Sequence, residues 1–163
     1  FEDQIWHYLS DVKGVTQPFP VRKIFRKDGR DIAQVDVSLG KEKVLFLVEC
    51  KAYSQNRNLI LGETRAVRNR WRLVQQWIVE SEQKVRKIAQ VPVGDNYAIS
   101  KEFSHIVPIV TSTFPEFMLD PRTPAVCTPS ELKRFLDSFS FDQLGNLQHV
   151  QAIRMPDLMN SIA

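Results

Sequence analysis

Apolar and polar positions repeat along the chain with two different periods. In Glu2 to Ser10, Ile5 and Leu9 stand four apart with Trp6 beside them, which predicts a helix with one apolar face. Gly14 and then Pro18-Phe19-Pro20 end it. Val21 to Phe25 predicts a short strand, and Lys27-Asp28-Gly29-Arg30 carries the Asp-Gly pair of a tight hairpin. Ile32 to Leu39 follows as a strand with Ala33, Val35, Val37 and Leu39 on one face, and Gly40-Lys41-Glu42-Lys43 is a polar turn. Val44 to Lys51 is apolar on both faces, as expected of a central strand covered on each side.

After a polar loop, Ser54 to Asn58, the period changes. From about Glu63 to Ile88 the spacing predicts a long helix, with Val67, Trp71, Val74, Trp77 or Ile78, Val85 and Ile88 on one stripe. Val91-Pro92-Val93-Gly94-Asp95 breaks it. Ile106 to Val110 predicts a strand whose Pro108 points to an edge or a bulge. Phe114 to Pro124 is a loop holding three prolines and exposed-looking aromatics. Ala125-Val126-Cys127 is a short strand. Thr128-Pro129-Ser130-Glu131 starts a helix that reaches about Ser138, with Thr as N-cap, Pro at the first helical position and Glu three after the cap.

This order, helix, three-strand meander, long helix, strand, strand, helix, predicts an α/β sandwich with a mixed sheet. It is not a repeating βαβ chain, and neither GxGxxG nor a P-loop is present. The chain has 163 residues, 43% hydrophobic and 25% charged, which fits one soluble domain. Residues 1–138 form its body and 139–163, weakly patterned, a C-terminal extension of it. No apolar run reaches the ~20 residues that span a bilayer, so no membrane is expected. The first residue is Phe rather than Met, and a piece of a longer protein with further domains is the expectation.

Cys50 and Cys127 each lie in an apolar run and read as buried, reduced thiols, in keeping with a cytoplasmic compartment. No CxxC or Cys/His cluster suggests zinc. The net charge of +3 says little by itself. Locally, Arg65, Arg68, Arg70 and Arg72 crowd into eight residues, and Arg22, Lys23, Arg26 and Lys27 into six. Either cluster suits phosphates, and either also suits a plain solvated face.

The strand Val44 to Lys51 raises a sharper question, because its core pattern ends on Glu49-Cys50-Lys51. Side chains alternate along a strand, so Glu49 and Lys51 share a face. A four-residue turn at Gly40 to Lys43 pairs Leu39 with Val44 and makes Asp36 the diagonal neighbour of Glu49, roughly 7 Å away by Cα. A register shifted by two puts the acids directly opposite, whereas a shift of one separates them. Two close carboxylates repel, and a hard divalent cation removes the conflict while leaving room for a phosphate oxygen. Lys51 then stabilises charge on an attacked phosphate or orients a water. The spacing alone suggests metal-assisted hydrolysis of a phosphodiester. The plain alternative is a surface ion pair of Glu49 with Lys51, with Asp36 unrelated.

An Asp on one strand followed by Glu-x-Lys closing the next apolar strand resembles the PD-(D/E)XK nuclease superfamily, whose restriction-endonuclease-like fold is a three-layer sandwich with a central mixed β-sheet flanked by helices. The resemblance covers roughly Phe1 to Ile88, and the order of elements fits as far as Ser138. The family's Asp falls on Asp36 and its Glu-x-Lys on Glu49 and Lys51. The family's Pro is absent, Val35 standing in its place. The opening "FEDQIWHYL" is similar to that of Mrr-type members, where a Glu near the start of the first helix helps the metal site; here that is Glu2. A polar residue on the following helix falls on Gln75 or Gln76. The resemblance implies an Mg²⁺- or Mn²⁺-dependent deoxyribonuclease, with Asp36 and Glu49 on the metal, DNA as partner, Arg65 to Arg72 on its backbone, and a homodimer as in many relatives.

Weaker candidates are set aside on the residues. His7, His105 and His149 are scattered, and Trp71 and Trp77 at helical spacing read as core rather than as a stacking platform. Tyr53 and Glu63 border the site or are plain loop. Ser54, Ser100 and Ser112 lack a His/Asp arrangement. Two rivals from other classes remain: a non-catalytic nucleic-acid-binding module, and a docking domain that uses the Phe114 to Pro124 loop.

Overall fold

A computed structural model describes residues 1–114, 125–146 and 152–155. The proline-rich loop beyond Phe114, His149 and most of the extension lie outside the described residues. The chain is mixed α/β. The elements are α1 (Glu2–Leu9), β1 (Val15–Thr16), β2 (Lys23–Lys27), β3 (Arg30–Val35), β4 (Val37–Lys41), β5 (Val44–Lys51), α2 (Arg57–Ile60), α3 (Thr64–Gln90), β6 (His105–Ser112), β7 (Val126–Cys127), α4 (Pro129–Ser138) and β8 (Ile153–Arg154). Short 3-10 turns cover Ile99–Lys101 and Phe141–Asn146.

The main sheet runs β1-β4-β5-β6-β7, with β8 on one end of β6. β4 and β5 are antiparallel, while β5, β6 and β7 are parallel, so the sheet is mixed. β5 lies at its centre. Val44, Phe46 and Val48 point into a core shared with α1 (Ile5, Leu9) and α4 (Leu132, Leu136). Leu45 and Leu47 point the other way, into a core shared with Val85, Ile88 and Ala89 of α3. Two covered faces explain the unbroken apolar run of β5. Each fully buried Leu or Phe here contributes roughly 1.5–3 kcal/mol. No described helix is long and apolar enough to cross a membrane.

The three-strand meander is not what forms. The stretch read as one strand, Ile32 to Leu39, breaks at Asp36. Before the break, β2 and β3 make a separate two-stranded sheet, closed by a turn with Asp28 and Gly29 both at positive φ, as the Asp-Gly signal predicts. After it, β4 joins the main sheet. Val35 therefore packs with the α3 core, whereas Val37 and Leu39 pack with the α1/α4 core, although strict alternation would put all of them on one face. The β4–β5 turn is also tighter than the four-residue reading. Lys41 pairs Val44 and Val37 pairs Val48, with Glu42 in the left-handed region.

Pro108 sits in a central strand rather than at an edge. Its far side is tolerated because β8 pairs only His105 and Ile106, and β7 only Val110 and Thr111, which leaves the Pro108 stretch unpaired on that side among the described residues. The α4 start forms as read: Thr128 and Glu131 make a capping box, with Pro129 in the first turn. On α3 the buried stripe is Arg70, Val74, Trp77, Ser81, Val85, Ile88 and Ala89. Trp77 is buried as expected, but Trp71 is 36% exposed and lies off the stripe.

Candidate active site

The carboxyl ends of the parallel strands β5, β6 and β7 lie together, with Glu49 beside Val110, Cys50 beside Thr111 and Lys51 beside Ser112. Open α/β sheets bind ligands outside such strand ends. Glu49 and Lys51 close β5 on the face that α3 covers, because they continue the alternation of Leu45 and Leu47.

The β4–β5 register ends at Val37–Val48, which leaves Asp36 and Glu49 as the first residues beyond the last pair. This is the register shifted by two from the four-residue turn. There the chain bends away, and the Asp36 side chain takes over the ladder: its Oδ2 accepts the Cys50 N–H at 2.8 Å. Arg22, at φ 57°, secures the same bend by donating its backbone N–H to the Asp36 carbonyl at 2.8 Å. The Arg22 guanidinium donates to Glu2 Oε2 at 3.0 Å, which ties the start of α1 to the bend. The backbone N–H bond at the helix start, then the Arg22 bond, hold the Glu2 carboxyl below the usual glutamate value. Burial pushes the Cys50 thiol far up, and the charges of Asp36, Glu2 and Glu49 push it further. The charges of all three sequence-predicted acids reach the Cys50 thiol at this strand end, with Glu2 engaged by Arg22. Cys50 and Cys127 are free thiols.

Glu49 is the most enclosed acid of the group, its side chain 6% exposed. Its Oε2 accepts from Lys84 Nζ of α3 at 2.6 Å and lies 3.6 Å from Lys51 Nζ. Its Oε1 is buried and accepts no hydrogen bond. A buried carboxylate oxygen left in this state is costly unless a cation or water meets it. Mg²⁺ takes one or two carboxylates and keeps several waters, and an unsatisfied carboxylate oxygen such as Glu49 Oε1 suits such an ion. Among the described residues no group of three or more His, Cys, Asp and Glu is placed to hold a metal.

Lys84 was not foreseen from the sequence, which points to Gln75 or Gln76 as the helix partner. Gln76 instead donates to Glu80 on the exposed side of α3. Lys84 lies two turns further on, between the buried Ser81 and Val85. Its contact with Glu49 spans 35 positions, which no local pattern reveals.

The four clustered arginines divide. Arg65, Arg68 and Arg72 are exposed, but Arg70 is 5% exposed and belongs to the core-facing stripe. Its guanidinium lies 4.2 Å from the Tyr53 ring centre and 4.7 Å from that of Trp77, and it donates to Ser112 Oγ at 3.4 Å. Arg70 thus fixes Tyr53, two residues past Lys51, and Tyr53 in turn exchanges bonds with Thr113 at the end of β6. Beside this stack a cleft of about 540 Å³ opens between α2 and α3, with Tyr53, Asn56, Glu63, Arg65 and Asn69 on its walls. Tyr53 and Glu63 are therefore cleft residues. His105 contacts Ser104 and the Phe141 ring, away from the acids, and His7 is exposed.

No protein-family model, curated protein or solved structure matches the chain.

Proposed function

We propose that this is a metal-dependent deoxyribonuclease domain of the restriction-endonuclease-like type, hydrolysing DNA phosphodiesters. The observation that carries the reading is Asp36, just beyond the Val37–Val48 pair and bonded to the N–H of Cys50 between Glu49 and Lys51, with Lys51 Nζ 3.6 Å from Glu49 at the carboxyl end of a central strand. The layering, helices on both faces of a mixed sheet, supports the same fold type.

Asp36 and Glu49 would hold Mg²⁺ or Mn²⁺, which supplies Lewis acidity to a phosphate oxygen. Lys51 orients the attacking water and donates to the charge that builds on the phosphate. The central strand β5 carries Lys51, paired in register with Ser112 of β6. Glu2 acts at one remove, holding Arg22 and through it the Asp36 bend. Exposed Arg65, Arg68 and Arg72 contact the DNA backbone without choosing bases, while Arg70 shapes the cleft wall.

A non-catalytic nucleic-acid-binding module is the second reading, favoured by the two lysines that already neutralise Glu49 Oε2. Supercoiled plasmid and single-stranded DNA, incubated with Mg²⁺, Mn²⁺ or chelator and run beside a gel shift, separate the two. Metal-dependent cutting supports the nuclease; retention of DNA with no cutting under any condition supports the binding module.

A further inference from the structure

We propose, resting on the metal-dependent reading above, that Lys84 is a resident counter-ion of Glu49 which a divalent cation has to displace, so that cation binding at this site is an exchange.

The formal charges at the strand end already balance. Asp36 and Glu49 carry two negative charges, Lys51 and Lys84 two positive, and Arg22 is occupied by Glu2. A divalent ion entering beside Glu49 meets an ammonium 2.6 Å from Oε2, and like charges at such range in a partly buried site repel strongly. Of the two lysines, Lys84 is the one free to leave. Its backbone is fixed by the buried Ser81 and Val85, but its side chain is 35% exposed on a flexible four-carbon stem, so the ammonium can turn to solvent. Lys51 is 27% exposed, sits further from Oε2 and stays for the phosphate. Glu49 Oε1, buried and without a hydrogen bond, is the oxygen that a cation satisfies once Lys84 has turned away. A substrate phosphate brings negative charge to the same place, so metal and DNA assist each other's binding and idle metal occupancy stays low.

The test is Mn²⁺ binding, read from the spectroscopic signal of free Mn²⁺ and from thermal unfolding, in the wild-type chain, Lys84→Met and Lys84→Arg. Lys84→Met is expected to unfold at lower temperature without metal, because Glu49 loses its nearest partner. It is expected to bind Mn²⁺ about tenfold tighter or more, and to gain more stability from it than the wild type does. Lys84→Arg keeps the cation on a fork that grips a carboxylate more firmly, and is expected to bind Mn²⁺ no tighter than the wild type. Equal or weaker binding by Lys84→Met overturns the exchange, as does tighter binding by Lys84→Arg if the Met variant does not fold. Tighter Mn²⁺ binding by Lys84→Met, with no DNA cut by any variant, upholds the exchange and overturns the nuclease reading. No Mn²⁺ binding by any variant overturns both.

Discussion

The Asp36 carboxylate accepts the Cys50 backbone N–H at 2.8 Å, in the position where the next β4 residue would have continued the ladder. One residue thus marks the break between two strands and satisfies the backbone of Cys50, next to Glu49. Substituting it tests both roles. Asp36→Ala orphans a part-buried N–H and should lower stability by about 1–3 kcal/mol. Asp36→Asn keeps an acceptor oxygen and should stay within about 1 kcal/mol of wild type, while losing DNA cutting. Urea unfolding beside a cleavage assay reads the two effects separately.

The Glu2–Arg22 pair gives the fold an acid-sensitive tie. Glu2 titrates below its ordinary 4.5 in the folded chain. Its contribution is therefore present above the unfolded value and is lost as pH falls through the lower folded value. Glu2→Gln should be less stable than wild type near neutral pH, and the difference should shrink to nothing as Glu2 protonates. Unfolding curves taken downward from about pH 6 measure this directly.

Gly40 lies under close cover in β4. A Cβ there would stand 2.7 Å from Thr16 Oγ1 and 2.9 Å from the Phe103 ring. Gly40→Ala should cost about 1–3 kcal/mol through overpacking at the β1–β4 edge, seen as a lower unfolding midpoint.

The arginines should separate by burial. Arg65→Ala and Arg72→Ala are expected to leave stability within about 0.5 kcal/mol of wild type. Each that meets a phosphate should weaken DNA binding and reduce the salt slope by about 1. Arg70→Ala removes a guanidinium packed on Tyr53 and Trp77 and should destabilise the chain first. Binding titrations at several salt concentrations, with thermal unfolding, distinguish the two kinds.

Much of this was legible where local chemistry decides. The Asp28-Gly29 turn, the Thr128 capping box and the two-faced apolar run of β5 each follow from residues a few positions apart. The break at Asp36 was not legible, because Val35-Asp36-Val37 keeps the alternation of a single strand and has no Gly or Pro to mark the bend. The β4–β5 register itself is one of the two even shifts the sequence allowed, and it leaves Asp36 and Glu49 just beyond its last pair. Arg70 misled because a charged residue on an apolar stripe reads as surface until its aromatic partners are seen. Lys84 was invisible for a related reason: its partner is 35 positions away.

The central claim is that Asp36, Glu49 and Lys51 form a cutting site. Its most direct test is the Mg²⁺-dependent cleavage rate of plasmid and single-stranded DNA by wild type and by Lys51→Met, with folding of both confirmed by their unfolding curves. Wild type should cut, chelator should stop it, and Lys51→Met should be slower by at least about 10²-fold. Equal metal-dependent cutting by both proteins, or none by the wild type, would contradict it.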